Sequence, residues 1–390
     1  MTTHTEAFLG ELRAQGREFA DLVRTTSLDL DRAPTRAADL LLHGPLPWRQ
    51  LMGLPADFAD DPLRIAGRQV LLDRCVEQVV VFEELARGDA AAVLALPGPS
   101  MSGQVVAELA DAEQRERYYR RLAQTPTWTF FGMTEPAHGS DPAGMATVLR
   151  PRDDGTALTL DGTKRFVGNG ARAGLGVVFA RRNAGPLGVT AVLVDTDRPG
   201  FTATPLETSG LRGLQLSQLD LDAVPVTERD VLGHGRRATR QGMWAATRTF
   251  NRFRPVVACF ALGVAQAAYD YVLAHRRRLR ADEYWTMERF AERLVGVRAL
   301  VLEAARSADR DPGDGTLASA AKIRATRLAE ELTLAAVDHF GPGARWDHPL
   351  LDKWVRDARA FEFMEGTGNI QRLGVAQGYL HGRLSDDRAA

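Results

Sequence analysis

Phe363-Met364-Glu365-Gly366-Thr367-Gly368-Asn369-Ile370-Gln371-Arg372 sets one carboxylate in an apolar run, at a glycine-punctuated turn, just before a new helical stretch. Apolar neighbours solvate an anion poorly, so the pKa of Glu365 is expected to rise towards that of a useful general base. Read alone, the plainer account is an exposed Glu near a helix N-terminus, where the helix dipole favours it, and an isolated Glu-Gly-Thr is mostly that. The segments upstream reverse the balance.

Directly before it, Leu350-Leu351-Asp352-Lys353-Trp354-Val355-Arg356-Asp357-Ala358-Arg359 reads by itself as a charged helix face. A helical period of apolar positions runs from residue 236 almost to the end, over 241–280, 288–308, 317–340, 350–361 and 369–381. Asp311-Pro312-Gly313-Asp314-Gly315 is a loop, and Pro255 is expected to kink the first helix without ending it. In Phe250-Asn251-Arg252-Phe253-Arg254-Pro255, an arginine inside an apolar helix must be paired or must bind an anion. A structural ion pair and a functional site are equally compatible with that residue type.

Residues 126–235 differ in character. Short strand-like runs at 128–133, 157–160, 175–180, 189–195, 201–205 and 214–221 alternate with turn chemistry at Asp153-Asp154-Gly155, Asp161-Gly162 and Asn183-Ala184-Gly185-Pro186. Within this block, Phe131-Gly132-Met133-Thr134-Glu135-Pro136-Ala137-His138-Gly139-Ser140-Asp141-Pro142 leaves a strand for a loop whose N–H groups and hydroxyl suit a phosphate or a polar ring edge. The segment 160–170 reads as a tight turn, a strand and an Asn-Gly turn, a simple hairpin. Residues 1–125 read as helices over 63–87 and 110–123, broken at Leu96-Pro97-Gly98-Pro99-Ser100. The expected plan is α+β, with an N-terminal helical domain over 1–125, a β domain over 126–235 and a helical bundle over 236–390.

The composition excludes more than it selects. With 390 residues and a net charge of -1, the chain can bury a large core and shows no charge signature for nucleic acid or an anionic membrane. Lysine occurs only at Lys164, Lys322 and Lys353, and arginine supplies the rest of the 49 basic residues. That skew points to a GC-rich coding sequence more than to a function. Cys75 and Cys259 lie in apolar helical patterns and read as core residues, not a disulfide. The first residues carry no basic n-region or apolar h-region, and no uninterrupted apolar run approaches membrane-spanning length, so a cytoplasmic protein is expected.

Taken in order, Thr134 to Asp141, Gly162 to Gly170, Arg254-Pro255 and Arg356 to Thr367 resemble the acyl-CoA dehydrogenase family over nearly the whole chain. The resemblance implies an N-terminal helical domain, a central β-barrel-like domain and a C-terminal four-helix bundle. It implies FAD held between the last two, and oxidation of the Cα–Cβ bond of an acyl thioester carried on CoA or an acyl carrier protein. A base takes the α-proton while the β-hydrogen leaves as hydride to flavin N5. By matching, Glu365 is that base and Arg254 lies beside it; the family's other base position is Phe253 here, which cannot serve. Phe131, Met133 and Thr134 would face the flavin, and Gly139 and Ser140 its pyrophosphate. Phe166 would pack beside the ring, Gly168 would lie near N5, and Thr367 would approach the phosphate region. Arg276 and Gly341 match the elements that a neighbouring subunit offers to FAD.

There are departures. Gly168 replaces a usual hydroxyl residue, Met287 replaces a glutamine, and Pro342 interrupts a Gly-Gly pair. They suggest a specialised member, as in secondary metabolism. The implied assembly is a homodimer or homotetramer, with a redox partner protein or oxygen as electron acceptor. The competing readings are a flavin monooxygenase or oxidase on the same fold, against which Glu365 argues, and a non-catalytic relative that binds an acyl group or a partner and no flavin.

Overall fold

The computed structural model describes residues 6–152 and 157–384, so the turn expected at Asp153-Asp154-Gly155 lies outside them. The chain begins with α1 (Glu6–Arg24), α2 (Ser27–Arg32) and α3 (Ala37–Leu42). Residues 63–74 then depart from the expected helix. Leu63–Ile65 (β1) and Arg68–Val70 (β2) pair antiparallel around Ala66 and Gly67, both with positive φ, which is the geometry of a tight two-residue hairpin. The apolar positions Leu63, Ile65 and Val70 are buried and Arg64, Arg68 and Gln69 exposed, a period of two that the longer helical pattern downstream conceals. Helix begins only at Cys75, with α4 (Cys75–Leu94), α5 (Ser100–Leu109) and α6 (Ala112–Gln124), the last opened by a reciprocal Asp111–Gln114 cap.

The middle of the chain is a mixed sheet of eight strands: β3 (Thr129–Gly132), β4 (Val148–Pro151), β5 (Leu158–Val167), β6 (Leu175–Arg181), β7 (Val189–Asp195), β8 (Phe201–Pro205), β9 (Ser217–Val226) and β10 (Val231–Leu232). The order is β10-β7-β6-β4-β5-β9-β8, with β3 also parallel to β6. The first six residues of β6 and of β7 are all buried, consistent with a sheet covered on both faces. Asp161-Gly162 does not turn the chain. It is a bulge inside β5, where the register to β9 slips between Leu160 and Gly162. A Cβ on Gly162 would stand 2.7 Å from Thr147 Cα, so only glycine lets β4 and β5 meet there.

The helical remainder comprises α7 (Gly242–His275), α8 (Ala281–Arg310), α9 (Thr316–Asp338), α10 (Ala344–Asp347), α11 (Pro349–Ala360) and α12 (Gly368–Leu380). Pro255 sits within α7 without ending it. The stretch 238–275 is long and apolar enough to match a membrane span, but 72% of its most apolar window is buried inside the protein, as befits a core helix. One large core joins α1 and α4 to α7, α8, α9 and α11, and includes Cys75 and Cys259, both free thiols.

The charged face expected on α11 is a buried clasp. Lys353 Nζ reaches Asp89 of α4 at 3.0 Å and Asp357 at 2.5 Å, while Asp357 Oδ1 accepts from Leu211 N at 2.6 Å. Arg356 forks onto both oxygens of Asp31 in α2, at 3.1 and 2.7 Å. Helix α11 therefore ties the N-terminal helices and a loop of the β region to the C-terminal helices.

Candidate active site

The Glu365 turn is built from backbone groups that point inward. Glu365 has φ +48° and Gly366 φ +96°, so two consecutive residues are left-handed and the chain reverses sharply before α12. The carbonyl of Glu365 accepts from Arg254 Nε at 3.3 Å and from Gln371 Nε2 at 2.9 Å. The carbonyl of Gly366 accepts from Gln371 Nε2 at 3.0 Å and from Lys322 Nζ at 2.5 Å, and Lys322 also reaches the Glu362 carbonyl at 3.0 Å. Glu362, not Thr367, caps α12: its Oε1 accepts from Gly368 N at 2.7 Å, and the Thr367 hydroxyl makes no capping bond.

The Glu365 carboxylate remains. Its Oε2 is shielded from solvent and has no hydrogen-bond partner among the described residues. Burial raises its pKa to about 7, against the opposing pull of the charges on Lys322 and Arg254. Burial likewise lowers Arg254 to about 10, with Glu365 pulling it back up, and lowers Lys322 to about 8, opposed first by Glu365. Asn251 Oδ1 accepts from Arg254 Nη1 at 2.7 Å, and Asn251 is itself anchored by its Nδ2 on the Pro312 carbonyl at 2.9 Å. The arginine read from the sequence as either paired or binding an anion is thus held mainly by neutral acceptors.

Arg254 lies 5.9 Å from the Phe250 ring, and Phe250 meets Phe131 edge-on at 5.6 Å. This path links the Glu365 turn to the β sheet. There, two segments read separately in the sequence lock together. Lys164 Nζ bonds Glu135 Oε1 at 2.8 Å and the Met133 carbonyl at 3.2 Å, and Glu135 also accepts from Ala146 N, Thr147 N and Thr147 Oγ1. Despite burial, those donors hold Glu135 down at about 2, while burial lowers Lys164 to about 8. The segment 160–170 is therefore the partner of the Thr134 loop, not an independent hairpin. Thr134 O accepts from Arg165 N at 2.8 Å, which sets Thr134 beside Phe166.

Phe166 has φ +59° and is 58% exposed, an unusual conformation for an aromatic residue, with the Arg165 guanidinium 5.5 Å over its ring. Gly139 and Ser140 are exposed in the loop and Met133 is buried. A Cβ at Gly168 would stand 2.9 Å from Leu214 Cδ1, so a hydroxyl side chain there would need the tip of that leucine to shift. An exposed aromatic residue, an unpartnered carboxylate oxygen and a threonine hydroxyl free of a capping bond suit a flat, partly apolar ring system with a phosphate tail. The residues fit FAD.

Two expected contacts are not brought to this site within one chain. Arg276 follows α7 some 22 residues beyond Arg254, roughly 33 Å of helix, and is paired with Glu283 at 3.2 Å. Gly341 lies past the far end of α9, where its φ of +79° makes a turn. Met287 is buried in the core and offers no polar group. Sequence reasoning missed Lys322, Gln371 and Asn251. All three act on main-chain carbonyls or on another side chain's donor, and no residue pattern marks such partners.

These features define a flavin-dependent dehydrogenase site at the junction of a β domain and a helical bundle. The chain belongs to the acyl-CoA dehydrogenase family: models of its C-terminal, middle and N-terminal domains match residues 240–380, 130–224 and 66–126. It is 30% identical over 310 residues to cyclohexane-1-carbonyl-CoA dehydrogenase of Geobacter metallireducens, covering 76% of this chain and 80% of that one. It is also 30% identical over 346 residues to an acyl-CoA dehydrogenase of Bacillus subtilis, covering 85% and 87%. The solved structure of butyryl-CoA dehydrogenase from Megasphaera elsdenii superposes with a TM-score of 0.81 at 24% identity, covering 97% of this chain and all of that one. The protein is an oxidoreductase of acyl-CoA with FAD as cofactor.

Proposed function

We propose that the protein carries out α,β-dehydrogenation of an acyl thioester, with Glu365 as the α-proton base. The observation that carries this is the buried, unpartnered Glu365 Oε2 in a turn whose Glu362, Glu365 and Gly366 carbonyls are engaged elsewhere. An α-proton is only weakly acidic, so its base must be desolvated and the developing negative charge on the thioester oxygen must be met by donors. Glu365 takes the proton, its own N–H polarises the thioester oxygen, and Arg254 steadies the turn through the Glu365 carbonyl. Bound FAD supplies the hydride acceptor. Thr134, Ser140, Phe166 and Thr367 are the residues that would hold it, with Phe131, Met133, Gly139 and Gly168 shaping the β-domain wall. Arg276 and Gly341 serve a second subunit, in a dimer or tetramer.

The acyl carrier is CoA in this reading, as in the named relatives, and a redox partner protein or oxygen reoxidises the enzyme. Anaerobic bleaching of the flavin across a panel of acyl-CoA and acyl-carrier-protein thioesters tests it. Bleaching by acyl-CoA substrates supports the proposal, bleaching only by carrier-protein thioesters moves the carrier, and a protein that neither holds nor rebinds FAD refutes it.

A further inference from the structure

Three main-chain carbonyls, those of Glu362, Glu365 and Gly366, converge on the space between α7, α9 and α12. Converging carbonyls create a negative potential, and an ionising carboxylate in the same turn adds to it. A buried site of that sign needs a cation. The groups that face Glu365 are Arg254 from α7, Lys322 from α9 and Glu362 within the turn, with the neutral Gln371 from α12. Arg254 gives one long hydrogen bond to the Glu365 carbonyl and directs another donor to Asn251. Lys322 is 1% exposed and spends two donors on the carbonyls that bracket Glu365, three residues before it and one after. A compact ammonium fits such a closed space where a guanidinium fork does not.

We propose that Lys322 is the positioning residue of the α-proton base: its ammonium pins the carbonyls of Glu362 and Gly366 and supplies the positive charge against which the Glu365 carboxylate forms. This rests on the reading of Glu365 as the base. Desolvation pushes the carboxyl up, and Lys322 is the larger of the two charges drawing it back to about 7. Without that charge, Glu365 would stay protonated at neutral pH and could not accept a proton.

The test separates charge from hydrogen bonding. Lys322→Gln keeps two N–H donors for the two carbonyls and removes the charge; Lys322→Met removes both. The protonated Glu365 carboxyl is read by difference infrared spectroscopy across pH, its band identified by its loss in Glu365→Gln, with the acid limb of anaerobic flavin reduction measured in parallel. The expected result is a titration midpoint near 7 in the unsubstituted protein that moves up by about one pH unit or more in Lys322→Gln, with the acid limb moving by the same amount. An unmoved midpoint in a folded, FAD-loaded Lys322→Gln overturns the proposal. So does a Lys322→Gln protein that fails to fold, because the lysine would then serve the fold and not the base. Bleaching by acyl thioesters with an unmoved midpoint refutes the role of Lys322 alone, whereas a protein that no acyl thioester bleaches refutes the base assignment itself.

Discussion

At the scale of the residue, the Glu365 carboxyl stands out because the carbonyls of Glu362, Glu365 and Gly366 around it are hydrogen-bonded while its own Oε2 is not. Glu365→Gln should keep FAD and lower the rate of flavin reduction by about 10²–10⁴-fold, the range a general base contributes; undiminished bleaching in stopped flow would show that the proton goes elsewhere. The pKa of about 7 also fixes a direction for pH. The base acts when ionised, so flavin reduction should rise with pH through a midpoint near 7, and a flat profile from pH 6 to 8 would contradict that assignment. Stability runs the other way. Between the ordinary value of 4.5 and about 7 the unfolded chain ionises this carboxyl and the folded one does not. Burial of Glu365 therefore costs up to about 3 kcal/mol as pH rises through that window, and Glu365→Gln should remove that slope from denaturation curves.

At the scale of the element, α7, with its internal proline, and α9 were readable from sequence to within about five residues at each end, because each buries a stripe that recurs at helical spacing, whereas α8 begins at Ala281, seven residues before its expected start. The hairpin of β1 and β2 was not. Three-residue strands are too short to establish a period, and the apolar run of α4 overwhelmed them, although Ala66-Gly67 was there to be read as a turn. Asp161-Gly162 misled in the opposite sense, since turn residues also make bulges. The motif residues of the site were visible as residues, but not their coupling. That Glu135 and Lys164 join two segments nearly thirty residues apart depends on β3 and β5 being neighbours in the sheet region. The bulge gives a test: Gly162→Ala must displace Thr147, whose N–H and hydroxyl hold Glu135. A loss of about 1–3 kcal/mol is expected in urea denaturation, and a change within 0.5 kcal/mol, the ordinary scatter for a harmless substitution, would mean that the strands do not meet so closely.

At the scale of the whole molecule, helix α11 carries the connection between regions, through Lys353 to α4 and Arg356 to α2. The sequence showed this face only as charged; its partners Asp89 and Asp31 lie 264 and 325 residues away, beyond the reach of any local pattern, while Asp357 and Asp352 are one turn along the same helix. Lys353→Met would leave Asp89 and Asp357 buried without their cation, a loss of about 3–5 kcal/mol. A lowered thermal midpoint with a single cooperative transition would show that the clasp belongs to one folding unit, and an unchanged midpoint would show that the buried pair contributes nothing net.

The burial of lysine has a chemical corollary. Lys164, Lys322 and Lys353 are the chain's three lysines, and none is more than 1% exposed. Amine-directed reagents such as succinimidyl esters should find the native protein almost blank, the α-amine apart. Acylation at any of the three, followed by intact mass, would then count molecules that have opened. One reagent would thereby time the exposure of the Glu135 loop, the Glu365 turn and the clasp, each marked by its own lysine.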